Sequence, residues 1–333
     1  MNLAHLSKGW LARRAQATSA SAFASAFASL MPGLARSLRT LRYWRERQAL
    51  CRLELVRRYV AAGSDHDLFH RLGQRSYLSR DLSARQRVQC VLSHYRFEDA
   101  AFGSAYHGAV YGGSGLTLWQ HRHQAEGEGA AHDFVLRLET AARHDPEGDL
   151  SISLLADGKL LHRLSYTWID GQLAGLDLPT VPFVTRNQGR WSDSGAAFDA
   201  FEEAFPNNSP SFFCFAALQG LAQALGIDQV VAVKCTEQVT YDPADLKGFE
   251  NAYDGFWRIL GGVEMPGRSY LIRLPFYLKP LADMPSKHRK RAAQRREFWR
   301  AIGDSTRTTL LRHMAQAAGA QAHAVAAATT AEA

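Results

Sequence analysis

The spacing of hydrophobic and polar positions changes several times along this chain of 333 residues. In five segments apolar residues recur every three to four positions, which predicts helices; elsewhere they alternate with polar ones or form short β-branched runs, which predicts strands. The predicted helices cover residues 34–62, 83–96, 194–205, 211–225 and 242–260, and the predicted strands cover residues 116–120, 133–139, 152–156, 160–168, 227–233 and 270–274.

Turn and capping residues support several of these boundaries. Asp157-Gly158 lies between two alternating runs, which is the strongest local signal for a tight antiparallel hairpin. Ser209-Pro210 is typical of a helix start, and Gly226 is typical of a helix end. A meander of strands followed by helix, strand, helix and strand predicts an α+β fold with one mixed, mostly antiparallel sheet and flanking helices.

Charge is distributed unevenly over the chain. Residues 1–60 contain eleven Lys or Arg against two acidic residues, and residues 287–333 contain nine against three. Because the whole chain carries +7, the part between these basic ends carries −8. The asymmetry leaves two interpretations open: the basic ends bind an external anionic partner, or they dock on the acidic middle of their own chain.

The basic C-terminal region is the densest cluster of charge. Seven Lys or Arg lie within fourteen residues, namely Lys287, Arg289, Lys290, Arg291, Arg295, Arg296 and Arg300. On a helix they spread almost all round and leave a narrow apolar arc. The first of them would stand at the helix N-terminus, where the macrodipole disfavours cations by about 0.3–1 kcal/mol each. This favours an anion site over a merely solvated face, with an internal acidic dock as the other alternative.

Catalytic residues are weakly indicated. His94-Tyr95 lies on a predicted helix and contains a side chain that can act as a general base near neutral pH. A hydrogen-bonded core pair is the alternative explanation. Tyr253 is a third candidate, and Trp257 could line a ligand cleft or belong to the core. No carboxylate or cysteine completes a metal site with the histidines of the strand region, so no metal is expected.

Four groups of residues carry a resemblance to a known family. They are His94-Tyr95, the helix pattern from Ala217 to Ile227, the pattern Tyr253-x-x-x-Trp257-x-x-Leu260-Gly261-Gly262, and Pro285-Ser286-Lys287-His288-Arg289 with Arg295-Arg296. In this order and spacing the chain resembles the VirK/YbjX family (DUF535) from about residue 41 to residue 302. The order of elements also resembles the GNAT acyl-CoA N-acyltransferase fold.

The resemblance implies a bacterial cytoplasmic protein associated with virulence or envelope stress, without an agreed reaction. The fold likeness implies an acyl or aminoacyl transferase with acyl-CoA as its cofactor. Its phosphates would meet Ser209 and Ser211 at a helix start and the cations Lys287, Arg289, Lys290, Arg291, Arg295 and Arg296, with Trp257 alongside. One departure weakens this expectation: family members usually carry a basic Arg-Pro-Lys-like helix entry, whereas this chain has Asn208-Ser209-Pro210-Ser211.

The expected organisation has five parts. Residues 1–33 form a flexible leader, 34–105 a helical region, 106–283 the GNAT-like core, 284–318 basic helices packed on the core, and 319–333 a disordered tail. No run of apolar residues is long enough for a transmembrane helix. The alternative to an enzyme is a cytoplasmic interaction protein, peripheral at the inner face of the membrane, that binds anionic lipid or nucleic acid through its basic helices.

Overall fold

A computed structural model describes residues 43–60, 72, 74, 76–124, 131–141, 147–189, 194–267 and 269–315. The chain divides into two compact units, Met1–Gln48 and Ala49–Ala333. Of the first unit, residues 43–48 are described, and they include the start of helix α1 (Trp44–Cys51). The expected leader and tail lie outside the described residues, as do residues 34–42 and 61–62 of the expected helix over residues 34–62. The described part of that helix is interrupted after α1 and continues as a π-helical turn, Val56–Val60.

One eight-stranded sheet organises the second unit. Its strands lie in the order β1-β2-β3-β4-β5-β6-β8-β7, and each neighbouring pair is antiparallel except β5 and β6. The mixed, mostly antiparallel sheet predicted from the sequence is therefore confirmed. The strands are β1 Leu116–Gln124, β2 Ala131–Thr140, β3 Leu150–Ala156, β4 Lys159–Ile169, β5 Val181–Gly189, β6 Gln229–Val233, β7 Val263–Met265 and β8 Ser269–Arg273.

Helices precede and interrupt the sheet. Among the described residues, two helices besides α1 precede β1 in the chain, two connect β5 to β6, a helical run connects β6 to β7, and a long helix follows β8. They are α2 Ala84–Ala101, α3 Ser104–Tyr111, α4 Gly195–Ala204, α5 Pro210–Ala224, α6 Leu246–Glu250, α7 Phe256–Ile259 and α8 Ser286–Leu311. Between α6 and α7 the residues Asn251–Gly255 form a π-helical turn. The boundary expected at residues 105 and 106 falls inside α3, and the expected domain limits stay a prediction.

Local chemistry explains the predicted hairpin. Asp157 and Gly158 both have positive φ, at 49° and 79°, and Ala156 pairs with Lys159 across the turn. Two consecutive residues with positive φ match the right-handed twist of the flanking strands, and Asp and Gly adopt that conformation at low cost. The turn therefore fixes the register of β3 against β4.

The parallel pair β5–β6 is short. Only Phe183↔Val231 and Val184↔Ala232 pair across it. On its other side, β5 carries one extra residue opposite β4, between the pairs Tyr166↔Val184 and Ser165↔Arg186. Such a bulge bends a strand and increases its twist. Beyond Val184, β5 therefore separates from β6, and the π-helical turn contacts β5 there, with the Asn187 amide donating to the Ala252 carbonyl at 2.6 Å.

Helix α5 is the centre of the core. Ten of its fifteen residues are buried, and it contacts strands β2 to β5 as well as α8. Phe213 of α5 packs edge-on against Phe205 and Phe201 at ring distances of 5.0 and 5.2 Å. Against α8 the backbones approach closely at Gly220 and Gly303, because a Cβ on Gly220 would lie 2.2 Å from the Gly303 carbonyl oxygen. Glycine is required at 220 by this crossing.

Among the described helices, none combines the length and the apolar character needed to cross a lipid bilayer.

Gly220→Ala should destabilise the fold by about 1–3 kcal/mol, because the added methyl forces α5 and α8 apart. Gly303→Ala is the matched control on the facing helix, since its Cβ would meet its nearest neighbour, the Ala216 carbonyl oxygen, at 3.5 Å. Both substitutions replace a glycine inside a helix with alanine, so the gain in helix propensity is the same for both. Urea unfolding of the two variants measures the difference, and equal stabilities would contradict the close crossing.

Candidate functional site

A cavity of about 690 Å³ lies at the C-terminal end of β5, beyond the two β5 residues that pair with β6. Its walls come from four places: the ends of β4 and β5, helix α4, the start of α5, and the helical run from residue 245 to residue 256. The lining residues are His162, Asn187, Gln188, Gly189, Phe198, Ser209, Pro210, Ser211, Asp245, Gly248, Phe249, Asn251, Ala252, Tyr253 and Phe256. The cavity thus combines the sequence-predicted Ser209, Ser211 and Tyr253 with residues that the sequence analysis did not nominate.

The start of α5 supplies hydrogen-bond donors to one wall. Pro210 has no N–H, and the amide of Phe212 already bonds to the Ser209 carbonyl at 3.0 Å, which leaves the Ser211 amide without an intrahelical partner. The hydroxyls of Ser209 and Ser211 lie 2.7 Å apart. Backbone and hydroxyl donors at a helix N-terminus are suited to an anion.

One predicted cation stands next to this helix start. The Arg295 guanidinium of α8 donates from Nη1 to the Asn207 carbonyl at 3.1 Å, two residues before Ser209. It also lies over the ring of Trp299, with 5.9 Å to the ring centroid. Arg295 is therefore placed at the edge of the α5 N-terminus, although its side chain is not part of the cavity wall.

The other predicted cations lie elsewhere on α8. Arg296 donates to the Lys279 carbonyl, and Arg289 donates to the carbonyls of Met284 and Ala282 at 2.9 and 3.0 Å. Arg289 thereby binds backbone oxygens of the turn that precedes its own helix. Lys287, Lys290 and Arg291 are exposed and have no ion pair with any described residue. The structure does not bring these five cations into the cavity wall.

Tyr253 is fully buried at the floor of the cavity. Burial, and next the negative charge of Glu147, raise the pKa of its hydroxyl well above the ordinary value. The hydroxyl makes no hydrogen bond of normal geometry, and the backbone of Asn187 and the side chain of Gln188 are the polar groups facing it. A neutral phenol in this position can donate a hydrogen bond to a ligand.

His162 lies opposite, on β4, and is 7% exposed. Its Nε2 lies 2.8 Å from the Asn187 Oδ1, and burial lowers the pKa of the imidazole to about 4. Sequence reasoning missed this residue because it used the alternation of β4 only to predict a strand. It did not consider polar residues on the buried face of that strand. The available signal was a histidine on the core side of a strand, paired across the sheet with Leu154.

The cavity has one carboxylate among its lining residues. It belongs to Asp245, and the exposed Asp242, Lys247 and Glu250 lie within five residues of it in sequence. No lysine or arginine is among the described lining residues. The cavity as a whole therefore favours a neutral or cationic group, and the anion-binding donors are confined to the α5 start and Arg295.

The remaining sequence candidates are core residues. Trp257 is fully buried and donates its indole N–H to the Val233 carbonyl at 2.9 Å. His94 is fully buried as well, and Tyr95 is 5% exposed. The backbone N–H of Trp168 donates to the His94 Nδ1 at 3.3 Å, while Nε2 lies 3.2 Å from the Tyr111 hydroxyl. None of these three candidates lines the cavity.

His94 belongs to a buried polar cluster around Glu98. The Glu98 carboxyl accepts hydrogen bonds from the Trp168 indole at 2.7 Å, from the Tyr111 hydroxyl at 3.2 Å and from the Tyr106 hydroxyl at 3.4 Å. These donors favour the ionised form, but burial opposes it more strongly and raises the pKa of Glu98 to about 8. The cluster joins α2 and α3 to the end of β4.

Within the described residues, no three His, Cys, Asp or Glu side chains converge on a point where a metal could sit. His121 stacks on Trp119 with ring centroids 5.8 Å apart, and His132 bonds to Asp157 at 2.7 Å. The strand histidines are therefore engaged in packing and in the β3–β4 turn.

Two comparisons with known proteins find relatives. The model of the family described as "Protein of unknown function (DUF535)" matches residues 35–193 and 202–307. The chain is also similar to "Uncharacterized protein YbjX" of Escherichia coli (strain K12), with 25% identity over 229 residues. That alignment covers 67% of this chain and 66% of the relative, which is slightly less than two thirds of the relative's length. No solved structure matches the chain.

The Glu98 cluster predicts an unusual pH dependence of stability. Because the folded-state pKa of about 8 is above the unfolded value of 4.5, the folded state holds the proton more tightly. The free energy of unfolding should therefore fall as pH rises from about 4.5 to 8, by up to about 1.4 kcal/mol per unit. Glu98→Gln keeps a neutral acceptor and should flatten this slope. The Glu54→Gln variant, on an exposed carboxyl, should keep it in urea titrations across pH 5–8; identical slopes in wild type and Glu98→Gln would refute the assignment.

Proposed function

The chain belongs to the DUF535 (VirK/YbjX) family, and from its fold and cavity we propose that it is a GNAT-like acyl or aminoacyl transferase that takes its acyl group from acyl-CoA. A role in virulence or envelope stress, in the bacterial cytoplasm, is the biological part of this proposal and derives from the family resemblance. The relative's printed name gives no activity, so the reaction is argued from this chain alone.

One observation carries the proposal: β5 continues past its short pairing with β6, the only parallel pair found among the described strands, and a cavity lies against this continuation. The pair has two residue pairs, and β5 is bulged immediately afterwards. An extended ligand arm can lie between two separating strands and use their unpaired backbone groups, which hydrogen-bond as readily to a ligand as to a strand. The amide groups of a pantetheine arm fit such an opening.

The cavity also offers partners for both ends of an acyl-CoA. At one wall, the Ser211 amide and the two serine hydroxyls can receive phosphate oxygens, with Arg295 as the neighbouring cation. At the floor, the Tyr253 hydroxyl can donate to the thioester sulfur as it leaves. The start of α5 lacks the basic residues that family members usually carry there, and Arg295 of α8 replaces them in part. The phosphates would therefore meet fewer cations than the sequence analysis assigned to them.

Calorimetric titration with coenzyme A and acetyl-CoA tests this function. We expect saturable one-to-one binding, weakened about ten-fold by Arg295→Gln, the effect of losing one charge-assisted hydrogen bond. Arg300→Gln is the matched control, because Arg300 lies on the same helix and pairs with Glu297 at 2.9 Å in solvent. Absence of binding at millimolar ligand would reject the transferase. Unchanged affinity in Arg295→Gln would reject the assigned phosphate site.

A second function, binding to anionic lipid, rests on a separate surface. Lys287, Lys290 and Arg291 are spaced i, i+3 and i+4 and therefore share one exposed face of α8. Tyr277 and Leu278 are 57% and 37% exposed and directly precede Lys279. The Lys279 carbonyl accepts a hydrogen bond from Arg296 of α8, which holds this segment against the helix. Exposed apolar side chains in the segment that packs along a basic helix favour a bilayer interface over nucleic acid.

Flotation with vesicles containing phosphatidylserine checks this surface. Changing Lys287, Lys290 and Arg291 together to Gln should reduce vesicle binding about 100-fold, since each basic residue near an anionic membrane contributes about 1 kcal/mol. Acetyl-CoA binding should be unaffected, which separates the two functions. Arg300→Gln with Arg307→Gln is the charge control on the same helix. Binding to a DNA duplex in preference to vesicles would replace the lipid with nucleic acid as the partner.

A further inference from the structure

We propose that His162 is the general base of this site and that it activates an amine acceptor, with Asn187 as the residue that positions it. The inference rests on the transferase function proposed above. It assigns the role of general base to His162 in place of the sequence candidate His94, which is a buried residue outside the cavity.

The orientation of Asn187 follows from its two contacts. Its Nδ2 lies 2.6 Å from the Ala252 carbonyl oxygen, which can only accept a hydrogen bond, so Nδ2 must be the amide nitrogen that donates. The Oδ1 therefore faces His162, whose Nε2 lies 2.8 Å away. Since Oδ1 can only accept, the imidazole proton of His162 lies on Nε2. This fixes the tautomer, and Nδ1 carries the lone pair.

Nδ1 has no hydrogen-bond partner among the described residues, and it lies beside Gly189. A Cβ on residue 189 would be 2.7 Å from Nδ1, and 2.5 Å from the Leu161 carbonyl oxygen. Glycine at this position leaves the lone pair uncovered, and both Gly189 and His162 line the cavity. A basic nitrogen with a fixed tautomer and an uncovered lone pair is what proton abstraction requires.

The imidazole is neutral at physiological pH. Burial is the main cause that lowers its pKa to about 4, the hydrogen bond that it donates to Asn187 opposes this, and the positive charge of Arg186 lowers it further. Arg186 is itself paired with Glu147 at 2.7 Å. His162 is therefore unprotonated over the whole range in which the protein would work.

The Asp245 carboxylate points to the class of acceptor. It is the one carboxylate among the residues that line the cavity and would attract an ammonium group, whereas the start of α5 would hold the donor's phosphates. A primary amine that enters past Asp245 must lose a proton before or during attack, and His162 is the described neutral base that lines its path.

The step is an ordinary aminolysis of a thioester. The amine nitrogen attacks the carbonyl carbon of the acyl-CoA, a C–N bond forms, and the C–S bond breaks. His162 Nδ1 takes the proton that the nitrogen loses and returns it to solvent. The leaving thiolate takes up one proton, and the products are an amide and coenzyme A. Water in place of the amine gives the free acid by the same proton transfer.

The test compares thiol release from acetyl-CoA in wild type, His162→Gln and Asn187→Ala. Each is measured with water alone and with a panel of primary amines, including diamines, over pH 3–9. The glutamine can still donate to Asn187 but has no basic nitrogen. We expect His162→Gln to lose about 10²- to 10⁴-fold in turnover while its calorimetric affinity for acetyl-CoA stays within two-fold of wild type. His132→Gln, at a half-buried histidine of β2 outside the cavity, is the control and should be unchanged.

Asn187→Ala separates positioning from folding. If Asn187 fixes the tautomer, its loss should lower turnover and shift the acidic limb of the pH profile downward, because the hydrogen bond that raises the pKa of His162 is gone. Asn187→Asp, which also accepts from Nε2, should restore part of the rate. Equal thiol release by wild type and His162→Gln, including the case where both stay at background, overturns the assignment of the base. Failure of acetyl-CoA to bind wild type would instead overturn the transferase itself, so the two failures are distinguishable.

Discussion

The parallel pairing of β5 with β6 is the constraint on which the rest of the molecule depends. Parallel neighbours cannot be joined by a tight turn, so the chain must leave the sheet and return through a long connection. Here that connection contains α4 and α5, and its return places the N-terminus of α5 beside the point where the two strands separate. The bulge of β5 widens the separation, and the π-helical turn takes part of the space. The cavity is a consequence of this topology more than of any single side chain.

Sequence reasoning recovered the elements whose signals are local. The β3–β4 hairpin follows from Asp157-Gly158, and the start of α5 follows from Ser209-Pro210. Strand β5 was not predicted because its bulge at residues 185–186 breaks the two-residue period, and β7 has only three residues, too few for a period to appear. Part of the candidate site was predicted from a helix-start signal and part from a family resemblance. His162 and Asn187 were not, because their pairing depends on the register between two strands, which periodicity does not encode.

Charge is better understood in three dimensions than along the sequence. The sequence left two interpretations open: the basic ends bind the acidic middle of their own chain, or they bind an external anionic partner. Of its charges, Glu147 is buried against Arg186, Glu98 is enclosed by aromatic donors, and Asp245 lines the cavity. Arg289, Arg295 and Arg296 bind backbone carbonyls and not carboxylates. The described part of α8 therefore does not neutralise the acidic middle through ion pairs, and its exposed face is left for solvent or a ligand.

The π-helical turn at Asn251–Gly255 limits how the chain length can vary in this region. A π turn holds one residue more than an α turn, and each residue advances a helix by about 100°. Because the turn holds this extra residue, losing one residue within it would leave an α turn and keep the helix faces on either side in phase. Losing a residue outside the turn would instead rotate everything before it against everything after it, so that Phe249 could no longer face the cavity while Trp257 keeps its indole on the Val233 carbonyl. Between these two aromatic residues, the chain can therefore lose a residue at the turn and not beside it.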